Sequence, residues 1–67
     1  MDININNQKH TFSVGISLKA IMDLQLGDKL NGVAVAINET VIPKASWENC
    51  IVQSNDNILI IKATQGG

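Results

Sequence analysis

The stretch VAVAIN, Val33 to Asn38, is apolar at every position before its final asparagine. Successive side chains of a strand point to opposite faces of a sheet, so this pattern predicts a strand that is covered on both faces. The turn signal Asn31-Gly32 stands directly before it. We therefore predict a strand in the interior of a sheet at this position.

The residues after this stretch predict one short strand and one longer strand. Val41-Ile42 is followed by Pro43, which cannot donate to a strand ladder, so this short strand is not a central one. An irregular or short helical turn is expected at residues 46–49, and a polar turn at 53–57. The last strand is predicted at Ile58 to Lys62.

The N-terminal residues predict a hairpin. Ile3 and Ile5 alternate with polar residues, which is the period of a half-buried strand. Asn6-Asn7-Gln8 predicts a turn, because asparagine tolerates left-handed backbone angles. The alternation continues in a second strand, through His10, Phe12 and Val14.

A single helix is predicted at residues 18–26. Ser17 is a candidate N-cap, and Gly27 suits the residue after the last turn. One helical face is apolar, with Leu24 or Leu26 as its last member, and it begins with Leu18, Ile21 and Met22.

The order of these elements predicts the fold class. A hairpin is followed by a helix, a covered strand, a short strand and a last strand, and the first and last strands are expected to be neighbours in the middle of the sheet. We predict an α+β fold of the β-grasp type, with a mixed four- to five-stranded sheet and one main helix packed across it.

Length and composition narrow the function classes. A chain of 67 residues forms one domain, and such a domain buries only about 60% of its unfolded surface, which leaves little room for a catalytic pocket. The net charge of −1 and the absence of arginine argue against capture of nucleic acid or an anionic membrane. Cys50 is the single cysteine, so an internal disulfide is excluded.

The sequence also predicts a location. Its start has no basic segment followed by an apolar core, so no signal peptide is expected. The longest apolar run, Val33 to Ile37, is too short to span a bilayer. We expect a cytoplasmic protein.

The residue types that carry chemistry show no pattern that predicts catalysis. His10 has no cluster of further ligands, which favours a structural or surface role, and Cys50 is expected to be a small buried residue. Trp47 is expected to pack on the core. Five acidic residues have no spacing that indicates acid–base catalysis and are predicted to be solvated surface: Asp23, Asp28, Glu39, Glu48 and Asp56. We predict no catalytic residue, no metal site and no cofactor bound by this chain.

The sequence ends in Gly66-Gly67, which is the feature most suggestive of chemistry. Without side chains, the last carbonyl is open to attack and the peptide fits a narrow slot. Residues 64–67 span roughly 13 Å when extended, enough to carry the Gly67 carboxylate into a partner's active site. We predict a folded domain at 1–63 and a flexible tail at 64–67; a frayed end or a cloning remnant is the alternative.

The chain resembles the thiamine-biosynthesis sulfur-carrier proteins, the ThiS family, which are ubiquitin-like β-grasp domains. The resemblance runs through VAVAINETVIPKASW (Val33 to Trp47) and IVQSNDNILII (Ile51 to Ile61), and ends at Gly66-Gly67. The family's Asp-Gly-Asp turn is Ser54-Asn55-Asp56 here, where Asn55 is expected to replace glycine at a left-handed position. The matching positions are Ala34, Ala36, Ile37, Asn38, Ile42, Pro43, Lys44, Trp47, Ile58, Leu59, Gly66 and Gly67.

The resemblance implies a cosubstrate and not an enzyme. A ubiquitin-activating-type adenylyltransferase, which uses MgATP, adenylates the Gly67 carboxylate, and sulfur from a cysteine-desulfurase-linked donor then displaces AMP to give a C-terminal thiocarboxylate. Thiazole synthase takes this sulfur for the thiazole ring of thiamine. Thr64, Gln65 and Gly66 are the partner-binding tail in this scheme, and the free carrier is expected to be a monomer.

Three other functions remain open at this point. They are a sulfur carrier of another pathway (such as the molybdopterin-type carriers), a ubiquitin-like modifier, and a non-reactive β-grasp binding module. For any carrier, the partner surface is expected to be an exposed apolar patch of the sheet near the tail. A one-residue shift in register exchanges the faces of a strand, so the outward-facing set stays undecided among Val33, Val35, Ile58 and Ile60 on one side and Leu59 and Ile61 on the other.

Overall fold

The computed structural model describes residues 1–62, and residues 63–67 lie outside it. The predicted boundary between the domain at 1–63 and the tail at 64–67 therefore stays a prediction. In chain order the elements are strands β1 (Asp2–Ile5) and β2 (Gln8–Thr11), helix α1 (Leu18–Leu26), strands β3 (Val33–Ile37) and β4 (Thr40–Val41), a 3₁₀ helix (Lys44–Asn49) and strand β5 (Asn57–Lys62).

The five strands form one mixed sheet in the order β2-β1-β5-β3-β4. The first and last strands, β1 and β5, are parallel neighbours, while the other pairs are antiparallel. This arrangement, with α1 as the one α-helix among residues 1–62, confirms the predicted α+β β-grasp fold. Strand β5 lies at the centre, so the strand that leads to the C-terminus has a neighbouring strand on each side, as β1 and β3 also do.

The N-terminal hairpin is shorter than predicted. Asn6 and Asn7 have φ angles of 50° and 69°, the left-handed pair that a two-residue hairpin turn requires. Strand β2 ends at Thr11, and Val14 is 85% exposed instead of continuing the strand. Thr11 pairs with Asp2, and backbone hydrogen bonds continue for one more residue, between Phe12 and Met1.

Helix α1 has the predicted bounds, Leu18–Leu26. The Ser17 side-chain oxygen accepts the backbone N–H three positions further on at 3.1 Å, which confirms the N-cap. Gly27 has a φ of 59°, as expected for the residue that ends the helix. Leu26 is half-buried against the core and Leu24 is 69% exposed, so Leu26 completes the apolar face.

The hydrophobic core lies between the helical elements and one face of the sheet. Trp47, in the 3₁₀ helix, is 1% exposed, as predicted, and its indole Nε1 donates to the carbonyl oxygen of Ile42 at 2.9 Å. Neither helical element of residues 1–62 is long and apolar enough to cross a membrane. The buried core residues are Ile3, Ile5, Leu18, Ile21, Met22, Val35, Trp47, Val52 and Ile58.

Strand β3 is interior, as predicted, but it is not covered on both faces. Val35 is fully buried on the core side, whereas Ala34 is exposed. Among the described residues the helical elements pack on one face of the sheet, and the opposite face of β3 is covered only in part: Ala36, which shares that face with Ala34, is 6% exposed. Strand β4 is an edge strand shifted by one residue from the predicted Val41-Ile42, and its edge position agrees with the nearby Pro43.

Candidate functional site

The two outward-facing apolar residues of β5 are Leu59 and Ile61. Directly paired residues of antiparallel strands share a face, and the register pairs Ala36 with Leu59 and Ala34 with Ile61. Leu59 is 50% exposed and Ile61 is 46% exposed, while Ile58 is fully buried. The sequence left undecided which apolar residues of the sheet face outward, and the structure shows that in β5 they are Leu59 and Ile61.

These side chains belong to an apolar area on the sheet face opposite the helix. We call it the outer apolar patch; it consists of Ala34, Val41, Leu59 and Ile61. The part of the same face formed by β1 and β2 is polar: Asp2 and Asn4 are exposed, and the Thr11 hydroxyl donates to the Asp2 carboxylate at 3.0 Å. An apolar area bordered by polar residues is typical of a protein interaction site.

The C-terminal half of β5 is held by the side chain of Asn6. The Asn6 Oδ1 accepts the N–H of Ile60 at 2.8 Å, and the Asn6 Nδ2 lies 3.5 Å from the Ile60 carbonyl oxygen, a long hydrogen bond. The main-chain N–H of Asn6 donates to the Ile58 carbonyl oxygen at 2.9 Å. Main chain and side chain of one residue thus bind two successive positions along the same edge of β5.

A second asparagine holds the other end of this strand. The Asn38 Oδ1 accepts the N–H of Asn57 at 3.0 Å, and its Nδ2 donates to the Asp56 carboxylate at 3.0 Å. The other Asp56 oxygen accepts the N–H of Gln53 at 2.8 Å. Asp56 is half-buried and hydrogen-bonded, so the prediction of a solvated surface carboxylate is wrong for this residue. Asn55 has a φ of 69°, the left-handed position predicted for it.

The predicted reactive residues follow directly after β5. Gly67 and the partner-binding residues Thr64, Gln65 and Gly66 lie outside the described residues, so their roles stay predictions. Chain length alone limits their reach, because the five residues after Lys62 span at most about 17 Å. A partner that acts on Gly67 must therefore come close to the end of β5, where the outer apolar patch lies.

The remaining candidates form no second site within residues 1–62. His10 is half-buried and its ring stacks on Phe12, with ring centroids 6.2 Å apart. Cys50 is half-buried, which corrects the prediction of a buried residue. Asp23 pairs with Lys19 on the helix surface at 2.8 Å. In this part of the chain there is no cluster of three metal-ligating side chains and no pocket, and three further carboxylates are exposed: Asp28, Glu39 and Glu48.

Comparison with known sequences relates the whole length of the chain to one family. The model of the ThiS family matches residues 3–67. The sulfur carrier protein ThiS of Escherichia coli (strain K12) is 33% identical over 67 residues, and the match covers 100% of both chains.

Comparison with solved structures supports the fold. The crystal structure of the thiamine biosynthesis protein ThiS from Geobacter metallireducens superimposes with a TM-score of 0.86 at 16% identity, covering 100% of both chains. A solution structure of a thiamine biosynthesis protein from the same organism gives a TM-score of 0.78 at 14% identity, covering 100% of this chain and 88% of that one. At these low identities the two solved structures show only that the chain has the β-grasp fold. Family membership is shown by the family model, which matches residues 3–67. The chain belongs to the ThiS family.

Proposed function

We propose that this protein is a sulfur carrier of thiamine biosynthesis and that Gly67 is its reactive residue. The observation that carries the proposal is the family match, which includes the terminal Gly66-Gly67. The curated relative of equal length, a sulfur carrier protein, supports the same function over that of a molybdopterin-type carrier or a ubiquitin-like modifier. In this proposal the chain is a cosubstrate whose chemistry is completed by partner enzymes in the cytoplasm.

The proposed chemistry activates a carboxylate that is otherwise a poor electrophile. The Gly67 carboxylate attacks the α-phosphorus of MgATP on an adenylyltransferase, forming an acyl adenylate and releasing pyrophosphate. A sulfur nucleophile then attacks the carbonyl carbon and expels AMP; a persulfide donor additionally requires a thiol reductant to leave a thiocarboxylate. Thiazole synthase transfers that sulfur to its substrate, and an oxygen atom from the substrate or from water replaces it on the Gly67 carbonyl carbon, which regenerates the carboxylate. The absence of side chains at Gly66 and Gly67 favours access to the carbonyl at each step.

The proposal is tested by intact-mass spectrometry with inorganic sulfide as the sulfur source. The protein is incubated with MgATP, sulfide and a ThiS-activating adenylyltransferase, with ATP left out of the control. We expect the mass change of one oxygen replaced by sulfur, located on the C-terminal peptide. As a positive control, the same adenylyltransferase must modify the carrier protein of its own organism. If it does so and the mass of this protein stays unchanged, the proposal is contradicted. Genetic complementation identifies the pathway. We expect the gene to restore growth without added thiazole in a strain that lacks its thiamine sulfur carrier, and not to restore molybdenum-enzyme activity in a strain that lacks its molybdopterin sulfur carrier.

We further propose that the outer apolar patch contacts the adenylyltransferase during activation. The patch residues Leu59 and Ile61 belong to the strand that leads into residues 63–67. A partner whose active site receives Gly67 is confined to the neighbourhood of the end of this strand by the short connecting segment. The partner is therefore expected to cover apolar side chains there and to bury them from water.

Replacing Leu59 with glutamate is expected to weaken activation without unfolding the protein. Leu59 is 50% exposed, so a charge can remain hydrated in the free carrier. In the complex, both the lost leucine burial and the desolvated charge oppose binding, and we expect kcat/KM of adenylation to fall at least about tenfold. The measurement is pyrophosphate release at varied carrier concentration.

Leu24→Glu is the matched control for this prediction. Leu24 is 69% exposed on α1, away from the sheet, and its replacement makes the same chemical change. We expect Leu24→Glu to keep the wild-type kcat/KM. Equal loss in the two variants would indicate a general effect of the added charge, and wild-type activity of Leu59→Glu would remove the patch from the proposed interface.

A further inference from the structure

We propose that Asn6 is a positioning residue for the C-terminal segment. Its side-chain amide holds β5 at Ile60 and thereby sets the base from which residues 63–67 reach the partner enzyme. This inference rests on the proposed function, because it assigns Asn6 a part in presenting Gly67. Asn6 makes no contact with the reacting atoms in this proposal and acts only through β5.

The need for such a residue arises from the unequal lengths of β1 and β5. Pairing between β1 and β5 stops at Ile5 opposite Ile58, because the chain turns away at Asn6. On its other edge, β5 stays paired with β3 as far as Lys62. The last residues of β5 therefore have a continuous partner strand on one side only.

The Asn6 side chain takes the place of the missing peptide group. Its carboxamide has the same donor and acceptor as a main-chain amide, and it meets both the N–H and the carbonyl of Ile60. The left-handed φ of 50° is a conformation that asparagine adopts at low cost. The hydrogen bonds join residues 54 positions apart in the chain, so the N-terminal turn is tied to the base of the C-terminal segment.

Loss of this contact is expected to loosen β5 at the end that precedes the reactive residues. The binding partner then has to order additional chain before Gly67 occupies the active site. Ordering about one further residue weakens productive binding by about tenfold. Since the chemistry after binding is unchanged, the loss is expected in KM and not in kcat.

The test compares Asn6→Gly with the wild-type protein in two measurements. Glycine accepts the φ of 50° and removes the carboxamide. By amide hydrogen exchange, we expect the protection of the Ile60 N–H to fall about tenfold relative to the α1 amides, which report global unfolding. By pyrophosphate release, we expect KM for the carrier to rise about tenfold while kcat stays within about twofold.

Two further variants separate positioning from general destabilisation. Asn38→Gly also removes a carboxamide from a residue with a φ of 50°, but this carboxamide binds Asn57 at the start of β5. We expect Asn38→Gly to leave KM unchanged. Asn6→Asp keeps an oxygen acceptor for the Ile60 N–H, and it is expected to restore most of the Ile60 protection and the low KM.

The outcomes distinguish this inference from the proposed function. If the wild-type protein is adenylated and Asn6→Gly has an unchanged KM, or if Asn38→Gly raises KM equally, the positioning role is wrong and the carrier function stands. If the wild-type protein is not adenylated by a competent enzyme, the proposed function fails, and the role of Asn6 in presentation fails with it.

Discussion

Deletion of Gly67 is expected to abolish thiocarboxylate formation while the domain stays folded. The deletion places the terminal carboxylate on Gly66, withdrawn along the chain by about 3.5 Å. Attack on ATP requires reacting atoms about 3–3.5 Å apart, and a displacement of about 1 Å already costs about 100-fold in rate. We therefore expect the adenylation rate to fall by at least about 100-fold. Intact-mass detection of the thiocarboxylate and pyrophosphate release measure this loss.

The control for this deletion keeps the length of the chain. Leu24→Ala alters a side chain on α1 that is 69% exposed and leaves the terminal Gly66-Gly67 in place, so we expect it to retain the activity. The melting temperatures of both variants should match the wild-type value, because Ile58 is the last core residue of β5 and Ile60 is the last residue of this strand that packs against the core. Thiocarboxylate formation by the deletion variant at the wild-type rate would show that Gly67 is not the reactive residue.

Local signals in the sequence were sufficient to predict the helix and the order of the elements. Ser17 and Gly27 bound a segment with one apolar face, and the structure has the helix at Leu18–Leu26. These signals act over one or two turns of chain, which is why they can be read without tertiary information. The order of the elements predicted that the first and last strands are neighbours in the middle of the sheet, and this is confirmed; their parallel direction is seen only in the structure.

The outward face of β5 was not predictable, because the strand Asn57–Lys62 is apolar at four successive positions. Only the register, which sets Ile58 beside Ile5 in the core, decides that Leu59 points outward. Likewise, the predicted tolerance of Asn6 for left-handed angles was right, but its side-chain partner is 54 residues away. A contact between residues so far apart in the chain depends on how the strands are arranged in the sheet, which the local sequence pattern does not specify.

Replacing Trp47 with alanine is expected to remove most of the stability of the domain. The side chain is 1% exposed and belongs to the core, and the 3₁₀ helix that carries it packs against α1. Truncation of a buried tryptophan costs about 3–5 kcal/mol, and a domain of 67 residues has a total stability of about 3–10 kcal/mol. Urea unfolding followed by circular dichroism measures the change, because tryptophan fluorescence is lost with the residue.

Two variants separate the packing of the indole from its hydrogen bond. Trp47→Phe keeps a buried ring but leaves the Ile42 carbonyl oxygen without its donor at 2.9 Å, and we expect it to cost about 1–3 kcal/mol. Leu24→Ala removes an apolar side chain that is 69% exposed, and we expect a change within about 0.5 kcal/mol. If Trp47→Ala changed the free energy of unfolding no more than Leu24→Ala, Trp47 would not be a principal contributor to the core. Trp47 is a core residue, whereas the proposed chemistry takes place at Gly67, so we expect the folded fraction of Trp47→Phe to form the thiocarboxylate at the wild-type rate.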